Sequence, residues 1–231
     1  MSVEISADAA ALASSVAGKL VERIAAIQAQ GTTPSVVLTG GTIANAIYAA
    51  INDERVRWEH VDFYWGDERF VPEGHADRND QQARDAFLAR LGVPESHIHA
   101  MPAHDCALSA AEAATAYSGE IPAAPFDLVL LGVGPDGHIA SLFPGFAQLD
   151  EATRTVAEVF DSPKPPPVRI TMTLPALNNA KSVWFLVSGA EKAESVARAL
   201  GGADLHEIPA TGVTGREETL WLLDEAGASK L

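Results

Sequence analysis

Residues 126–145 read FDLVLLGVGPDGHIASLFPG, and they indicate both the architecture of the chain and the place of its chemistry. The first six residues are apolar except for Asp127, a pattern typical of a parallel strand buried on both faces. Gly132, Gly134 and Gly137 follow and predict a sharp turn at the end of this strand. Because open α/β sheets bind ligands at the carboxyl ends of their strands, we expect the active site here.

His138 follows this turn, at the predicted start of a short helix. A histidine there either caps the loop by hydrogen bonding or serves as a general base. The positive end of a helix dipole disfavours the imidazolium ion, which would leave the ring neutral and able to accept a proton. Asp136 is placed to hold one tautomer of the ring, although aspartate is also common in glycine turns. We assign both residues as catalytic.

The same glycines satisfy the pattern G-x-G-x-x-G of dinucleotide-binding turns, and an acid, Glu158, lies downstream. Two features argue against a nicotinamide or flavin. Residues 143–145, Phe-Pro-Gly, interrupt the predicted helix after about two turns, whereas a crossover helix needs about a dozen residues. Pro135 also removes an N–H group that a pyrophosphate would use. We therefore predict no cofactor.

The composition disfavours several classes of protein. The 231 residues, 47% of them hydrophobic, predict one α/β domain spanning residues 1–231. The 31 Asp and Glu against 16 Lys and Arg leave a formal net charge of −15, which disfavours nucleic acid and anionic membranes as partners. Cys106 is the only cysteine, so no internal disulfide or cysteine-based zinc site can form. Without a signal peptide or a membrane-spanning run, we expect a soluble, cytoplasmic protein, either a monomer or a small homo-oligomer.

The first predicted strand-to-helix turn is suited to a phosphate group. A short buried strand over residues 36–38 leads through Gly40, Gly41 and Thr42 into a helix over residues 43–51. Backbone N–H groups at such a helix start point at a bound anion. Glycines also suit any tight turn, so this turn alone leaves both interpretations open.

Two further turns each supply a cation. A strand predicted over residues 61–65 runs into a charged stretch that ends at Arg69, whose guanidinium can bind phosphate with two hydrogen bonds. A strand over residues 182–187 precedes Lys192, in the first turn of a helix, where the dipole favours acids instead. A cation in this unfavourable position indicates a ligand.

The remaining segments alternate between helical and extended patterns. This alternation predicts an α/β fold with a mainly parallel sheet and helices on both faces, whose turns converge on one rim. Further helices are predicted over residues 7–30, 81–91, 109–119 and 175–180, and further strands over residues 154–159, 169–174 and 219–224.

Two other polar stretches carry weaker signals. Residues 161–167, DSPKPPP, are typical of a rigid surface loop, or less simply of a segment that recruits a partner. His97, His99 and His104 lie near a weak strand without the spacing of a metal-binding helix, so we predict no metal site.

Three motifs together resemble one enzyme family. They are WGDERFVP at residues 65–72, GVGPDGHIASLFP at residues 132–144, and RITMTL at residues 169–174 with GAEKA at residues 189–193. Over almost its whole length the chain resembles the 6-phosphogluconolactonases, which share a Rossmann-like fold with glucosamine-6-phosphate deaminases. The resemblance implies metal-independent hydrolysis of 6-phospho-D-glucono-1,5-lactone in the oxidative pentose phosphate pathway.

The resemblance also implies roles for individual side chains. His138 matches the family's catalytic histidine, and Arg69 and Lys192 match its phosphate ligands. Arg78 stands where the family often has serine, so it is either a third cation or a surface residue. The first loop reads GGTIA where the family usually has Gly-Gly-Ser-Thr-Pro. The substrate-binding set implied by these motifs is Gly40, Gly41, Thr42, Asp67, Arg69, Arg78, Arg169 and Lys192.

The implied reaction needs one proton carrier. Neutral His138 takes a proton from the attacking water and returns it to the departing ring oxygen. Backbone N–H groups of residues 132–137 are expected to stabilise the oxyanion. Phosphate held by Arg69 and Lys192 converts binding energy into orientation of the lactone.

Two rival functions share this fold. A glucosamine-6-phosphate deaminase needs a carboxylate just after the histidine loop, where this chain has Phe143. A sugar-phosphate-sensing regulator would keep the phosphate site without needing His138 and would carry a DNA-binding segment, but no helix-turn-helix precedes the predicted fold. Both alternatives are therefore disfavoured.

Overall fold

The computed structural model describes residues 1–52 and 55–231. Within these residues the strands belong to two sheets, and the helices connect them in alternation. The strands are β1 (Ser2–Ser6), β2 (Ser35–Leu38), β3 (Asp62–Trp65), β4 (Asp67–Arg69), β5 (Phe126–Gly132), β6 (Val156–Val159), β7 (Arg169–Met172), β8 (Ala180–Val187) and β9 (Glu218–Asp224). The α-helices are α1 (Ala9–Gln28), α2 (Thr42–Ala50), α3 (Asn79–Ala83), α4 (Ala110–Ser118), α5 (Leu174–Leu177) and α6 (Ala193–Leu200).

Six strands form one parallel sheet in the order β1-β9-β8-β5-β2-β3. β5 lies in its interior and is buried from Phe126 to Leu131, as its apolar pattern predicts. The connections through α1 and α2 step towards β3, whereas those through α4 and α6 step towards β1. Because crossovers between parallel strands are right-handed, we infer that the two pairs of helices lie on opposite faces of the sheet. The predicted α/β class with a mainly parallel sheet is confirmed.

A second, three-stranded antiparallel sheet in the order β4-β7-β6 was not predicted. Gly66 alone separates β3 from β4, so the chain passes directly from one sheet to the other. In the register of β4 and β7, Arg69 lies opposite Arg169 and Asp67 lies opposite Thr171. The second sheet therefore carries two of the predicted cations.

Helix ends follow local capping where the caps are strong. Asp8 accepts a hydrogen bond from the backbone N–H of Ala11 and begins α1, and Ser109 begins α4 with a capping box. The helix predicted over residues 81–91 is wrong in detail, because it begins at Asn79 and continues as a π-helical segment over Arg84–Leu88. The short helix predicted at His138 is also wrong, since residues 133–138 are turn and irregular backbone.

The chain changes direction across the parallel sheet between β2 and β5. β2 connects through α2 to β3 on one side, whereas β5 connects to β8 on the other. Such a switch point leaves a crevice outside the carboxyl ends of the two strands. The glycine turns that follow β2 and β5 form the two sides of this crevice.

Candidate active site

A cavity of about 290 Å³ opens at this switch point, a size suited to one small polar ligand. Side chains from both sheets converge on it, although their elements are far apart in sequence. Asp136 and Arg78 are the predicted site residues that do not line it. The predicted residues in its wall are Gly40, Gly41, Thr42, Asp67, Arg69, His138, Arg169 and Lys192.

The turn over residues 132–138, which we call the histidine turn, is closed by its own hydrogen bonds. The N–H of Gly134 donates to the carbonyl of His138, and the N–H of Gly137 donates to the carbonyl of Gly134, both at 2.9 Å. Gly137 has a φ of +82°, a conformation that favours glycine. The backbone thus turns sharply enough to point His138 into the cavity.

Asp136 holds the imidazole of His138 from the side away from the cavity. Its Oδ1 lies 2.5 Å from Nδ1 of the ring. Burial opposes ionisation of Asp136, but the hydrogen bond and charge of His138, together with Lys164, lower its pKa to about 2. An ionised carboxylate can only accept, so Nδ1 carries a proton, and in the neutral tautomer this arrangement leaves the lone pair on Nε2. The carboxylate, and not a helix dipole, orients this ring.

Packing on both sides restricts the same ring. A Cβ atom on Gly134 would lie 2.0 Å from Nδ1 of His138 and 2.5 Å from Oδ1 of Asp136. The ring of Phe143, itself buried, has its centroid 4.8 Å from that of His138. The His138 side chain is 15% exposed. Gly134 is therefore required for close approach, and the imidazole reaches the cavity with a restricted orientation.

The glycine N–H groups of the histidine turn are already used within the protein. Those of Gly134 and Gly137 donate inside the turn, and that of Gly132 donates to Oγ1 of Thr39 at 3.3 Å. Pro135 has no N–H group. The expected oxyanion site in residues 132–137 therefore depends on the other N–H groups of the turn, and it stays a prediction.

The turn after β2 presents the start of α2 to the cavity. Gly41 precedes the helix with a φ of +103°, and no side chain caps the first turn. Thr42 and Ile43 line the cavity, and the first N–H groups of a helix lack partners within it, so these two are available as donors for an anion. Gly40 is required because a Cβ atom there would lie 1.9 Å from Oδ1 of Asn79.

Four cations line the cavity of this strongly acidic chain: Arg69, Lys164, Arg169 and Lys192. Burial lowers the pKa of Lys164, and the charges of Lys192 and Arg169 lower it further, while Asp136 opposes the change. Mutual repulsion of this kind is costly in the absence of a partner. The cavity is thus arranged for a ligand with more than one negative charge.

Lys164 was not predicted, because residues 161–167 resemble a surface loop. We call these residues the lysine loop. Arg169, which is 5% exposed, bonds three of its carbonyls: Nε to Pro166 at 3.0 Å, and NH2 to Lys164 at 2.9 Å and Pro165 at 3.2 Å. The loop is exposed over most of its length, as predicted, but Lys164 and Pro165 also line the cavity, a role that the sequence did not indicate.

Asp67 places a carboxylate in the cavity wall. Its Oδ2 accepts from Oγ of Ser141 at 2.6 Å and lies 3.9 Å from NH1 of Arg169. Nδ2 of Asn79 donates to the backbone carbonyl of Asp67 at 2.9 Å. Ser141 and Asn79 were not assigned roles from the sequence, because their contacts with Asp67 span 74 and 12 residues of chain.

Lys192 is placed by a serine and an acid that carry no obvious motif. Oγ of Ser195, in α6, lies 2.9 Å from the carbonyls of both Gly134 and Lys192, so it links the histidine turn to the lysine. Oδ1 of Asp224, at the end of β9, accepts from the N–H of Gly189 at 3.1 Å. The sequence TLWLLD at residues 219–224 predicted a strand. That its last residue, Asp224, contacts Gly189 is known only from the fold.

The assignment of Arg78 to the substrate-binding set is corrected by its position. The side chain is 2% exposed and does not line the cavity, so it is neither a surface residue nor a third cation. Its Nε donates to Oδ1 of Asp80 and its NH2 to the carbonyl of Met101, each at 2.7 Å. Arg78 lies behind the site.

The three histidines considered as metal ligands lie elsewhere. His97 contacts Asp62 at 2.6 Å, His99 stacks on Tyr64, and His104 contacts the ring of Phe70. In residues 1–52 and 55–231, no group of three His, Cys, Asp or Glu side chains is arranged to hold a metal ion.

Known proteins are similar to this chain in both sequence and fold. The model of the family described as "Glucosamine-6-phosphate isomerases/6-phosphogluconolactonase" matches residues 7–221. The 6-phosphogluconolactonase of Mycobacterium tuberculosis is 45% identical over 243 residues, which cover 100% of this chain and 98% of that protein. That of Streptomyces coelicolor is 46% identical, covering 95% of this chain and 90% of its own. The crystal structure of 6-phosphogluconolactonase from Thermotoga maritima superposes with a TM-score of 0.86 at 27% identity, covering 97% of this chain and 100% of that one.

Proposed function

The chain belongs to the glucosamine-6-phosphate isomerase/6-phosphogluconolactonase family, and we propose that His138 and Asp136 carry its catalytic chemistry. The protein is a lactone-hydrolysing enzyme that converts 6-phospho-D-glucono-1,5-lactone to 6-phospho-D-gluconate, a step of the pentose phosphate pathway. The observation that carries the residue assignment is the Asp136–His138 pair at the wall of a cavity lined by four cations.

His138 acts as the general base. Its Nε2 accepts a proton from water while the water oxygen forms a bond to C1 of the lactone, which yields a tetrahedral oxyanion and an imidazolium. Asp136, whose pKa of about 2 keeps it ionised, stabilises that imidazolium through Nδ1. The oxyanion then collapses, the bond from C1 to the ring oxygen breaks, and the imidazolium returns its proton to that oxygen.

The phosphate group is bound away from the reacting carbon. Arg69, Lys164 and Lys192 supply positive charge, and the N–H groups of Thr42 and Ile43 supply donors at the start of α2. Arg169 holds the lysine loop, and Asp67 supplies an acceptor for a sugar hydroxyl. With the phosphate fixed at one end of the cavity, C1 lies beside His138, so part of the binding energy serves to orient the lactone for attack.

Rapid assay of freshly generated 6-phosphogluconolactone tests this proposal. Acid release is followed with and without the protein, after subtraction of spontaneous hydrolysis, and with and without EDTA. We expect saturable acceleration that EDTA leaves unchanged, because the proposed reaction uses only protein side chains and water. A rate equal to that of spontaneous hydrolysis would show that the lactone is not a substrate. Loss of the acceleration in EDTA would contradict the metal-free mechanism.

Less can be said about the protein's partners, location and oligomeric state. Within the described residues, no helix combines the length and apolar character needed to cross a membrane. A sugar phosphate is the partner that the family relationship supports. The cytoplasmic location and the oligomeric state stay predictions.

A further inference from the structure

Glu68 is a buried acid that the mechanism above does not use. It lies on β4 between two cavity residues and is 1% exposed. Its Oε1 accepts from the backbone N–H groups of Arg69 at 2.8 Å and Asn79 at 2.7 Å, and its Oε2 accepts from that of Asp80 at 2.9 Å. One carboxylate therefore joins both ends of the loop over residues 69–79.

Arg78 supplies the counter-charge to this carboxylate. Its NH2 lies 3.9 Å from Oε2 of Glu68, and its Nε bonds Asp80. Burial raises the pKa of Glu68, whereas the charge of Arg78 and the N–H groups of Asn79 and Asp80 oppose that rise. Burying such charges is expensive, so their presence behind a site favours a role in fixing its geometry.

Both loop ends that Glu68 joins reach the cavity. Arg69 and Asn79 line it. Asn79 also packs against the first glycine turn, since its Oδ1 would lie 1.9 Å from a Cβ atom on Gly40, and it bonds the carbonyl of Asp67. A displaced Glu68 would therefore shift Arg69, Asn79 and the Gly40 turn relative to one another.

We propose that Glu68, paired with Arg78, is a positioning residue for the phosphate end of the substrate. It acts through Arg69 and Asn79 and does not touch the lactone. The inference deepens the proposed function and rests on it. In this proposal Glu68 and Arg78 set the distance between the guanidinium of Arg69, on β4, and the Gly40 turn that precedes α2.

Glu68→Gln tests this role because it keeps the size of the side chain but replaces one accepting oxygen with a donor. That NH2 group cannot accept a backbone N–H. We expect KM for 6-phosphogluconolactone to rise by about tenfold or more, with kcat within about threefold, because His138 and Asp136 belong to a separate turn. The inhibition constant of inorganic phosphate should rise in parallel.

Asp127→Asn is the matched control. Asp127 is a buried carboxylate, 8% exposed, that accepts from the N–H of Ser35 at 2.9 Å at the opposite, amino end of the strands. This variant should lose thermal stability while KM stays unchanged. If Glu68→Gln behaves in the same way, with lower Tm and unaltered KM, the positioning role is overturned.

If Glu68→Gln does not fold, a second variant, Glu68→Asp, tests the same role. Glu68→Asp keeps the charge but withdraws both oxygens by one methylene, and it should raise KM in the same direction as Glu68→Gln. An unchanged KM in folded Glu68→Asp would also overturn the inference. Absence of lactone hydrolysis by the wild-type protein would instead overturn the proposed function, so the two failures are distinguishable.

Discussion

The histidine turn and the lysine loop both end in the cavity, yet they are held in different ways. The histidine turn is closed by backbone hydrogen bonds among its own residues and by the Asp136–His138 pair. The lysine loop depends on the side chain of Arg169, which β7 places against Asp67 of β4. The turn proposed to perform the chemistry is thus closed mainly by its own residues, whereas the loop proposed to bind the phosphate depends on the second sheet. Damage to the turn should lower kcat, and damage to the loop should raise KM.

The largest expected effect comes from removing the base itself. His138→Ala should lower kcat by about 10²–10⁴-fold with little change in KM, because general base catalysis is lost while the phosphate contacts remain. Rates with fresh lactone, corrected for spontaneous hydrolysis, measure it. His206→Ala, which removes a half-exposed histidine paired with Asp150, is the control and should leave kcat unaltered. Near-normal turnover by His138→Ala would exclude it from the mechanism.

A smaller loss is expected when only the partner of the base is changed. Asp136→Asn keeps an oxygen that can accept from Nδ1 but removes the charge that stabilises the imidazolium. We expect kcat to fall by about 10²-fold, and less than in His138→Ala, with KM nearly constant. An unchanged kcat would show that Asp136 serves only the backbone turn.

The lysine loop should respond in KM. Lys164→Ala removes one charge-assisted contact and should raise KM by about 10–100-fold with kcat nearly unchanged. Arg169→Lys keeps a charge but loses the fork that binds three carbonyls, so it should also raise KM. Lys19→Ala, which removes an exposed lysine paired with Glu4, is the control for net charge.

The double variant Lys164→Ala/Arg169→Lys separates two roles of Arg169. If Arg169 acts by holding Lys164, the double variant should resemble Lys164→Ala, because the loop no longer has a cation to position. Fully additive effects on KM would contradict this and show that Arg169 contacts the substrate independently.

The smallest effect concerns stability in acid. The pKa of Asp136 is lowered from 3.8 to about 2, so its charge stabilises the folded state above about pH 4 and loses that effect as the pH falls towards 2. The free energy of unfolding of wild type should therefore exceed that of Asp136→Asn at pH 5–7, and the difference should shrink below pH 4. Chemical denaturation at several pH values measures it; a difference independent of pH would contradict the cause given for the shift.

Predictions succeeded where nearby residues control the backbone. The apolar run of β5 and the glycines after it each act within a few residues, and the structure agrees with both. The helix predicted at His138 is absent because of nearby residues as well. Gly134 and Gly137 close the turn on itself, and Pro144 follows soon after, so the chain does not enter a helix.

Predictions failed for long charged side chains whose contacts are with residues distant in sequence. Arg78 was grouped with the cations of the site, but its guanidinium turns to Asp80 and Met101. Lys164 was not assigned to the site, because nothing near it in sequence shows that Arg169 holds this exposed loop at the cavity. An arginine or lysine side chain is long and flexible and carries several donors, so its sequence position does not say which way it points.

The residue order alone thus accounts for the parallel sheet, the two glycine turns and the Asp136–His138 pair, because strand burial and turn geometry are local properties. Which charged side chains share the cavity followed only from folding. The pairing of β4 with β7 sets Arg69 opposite Arg169, and the switch point between β2 and β5 sets both glycine turns around one space. Contacts of this kind join segments about a hundred residues apart, where packing and not local preference selects the partner.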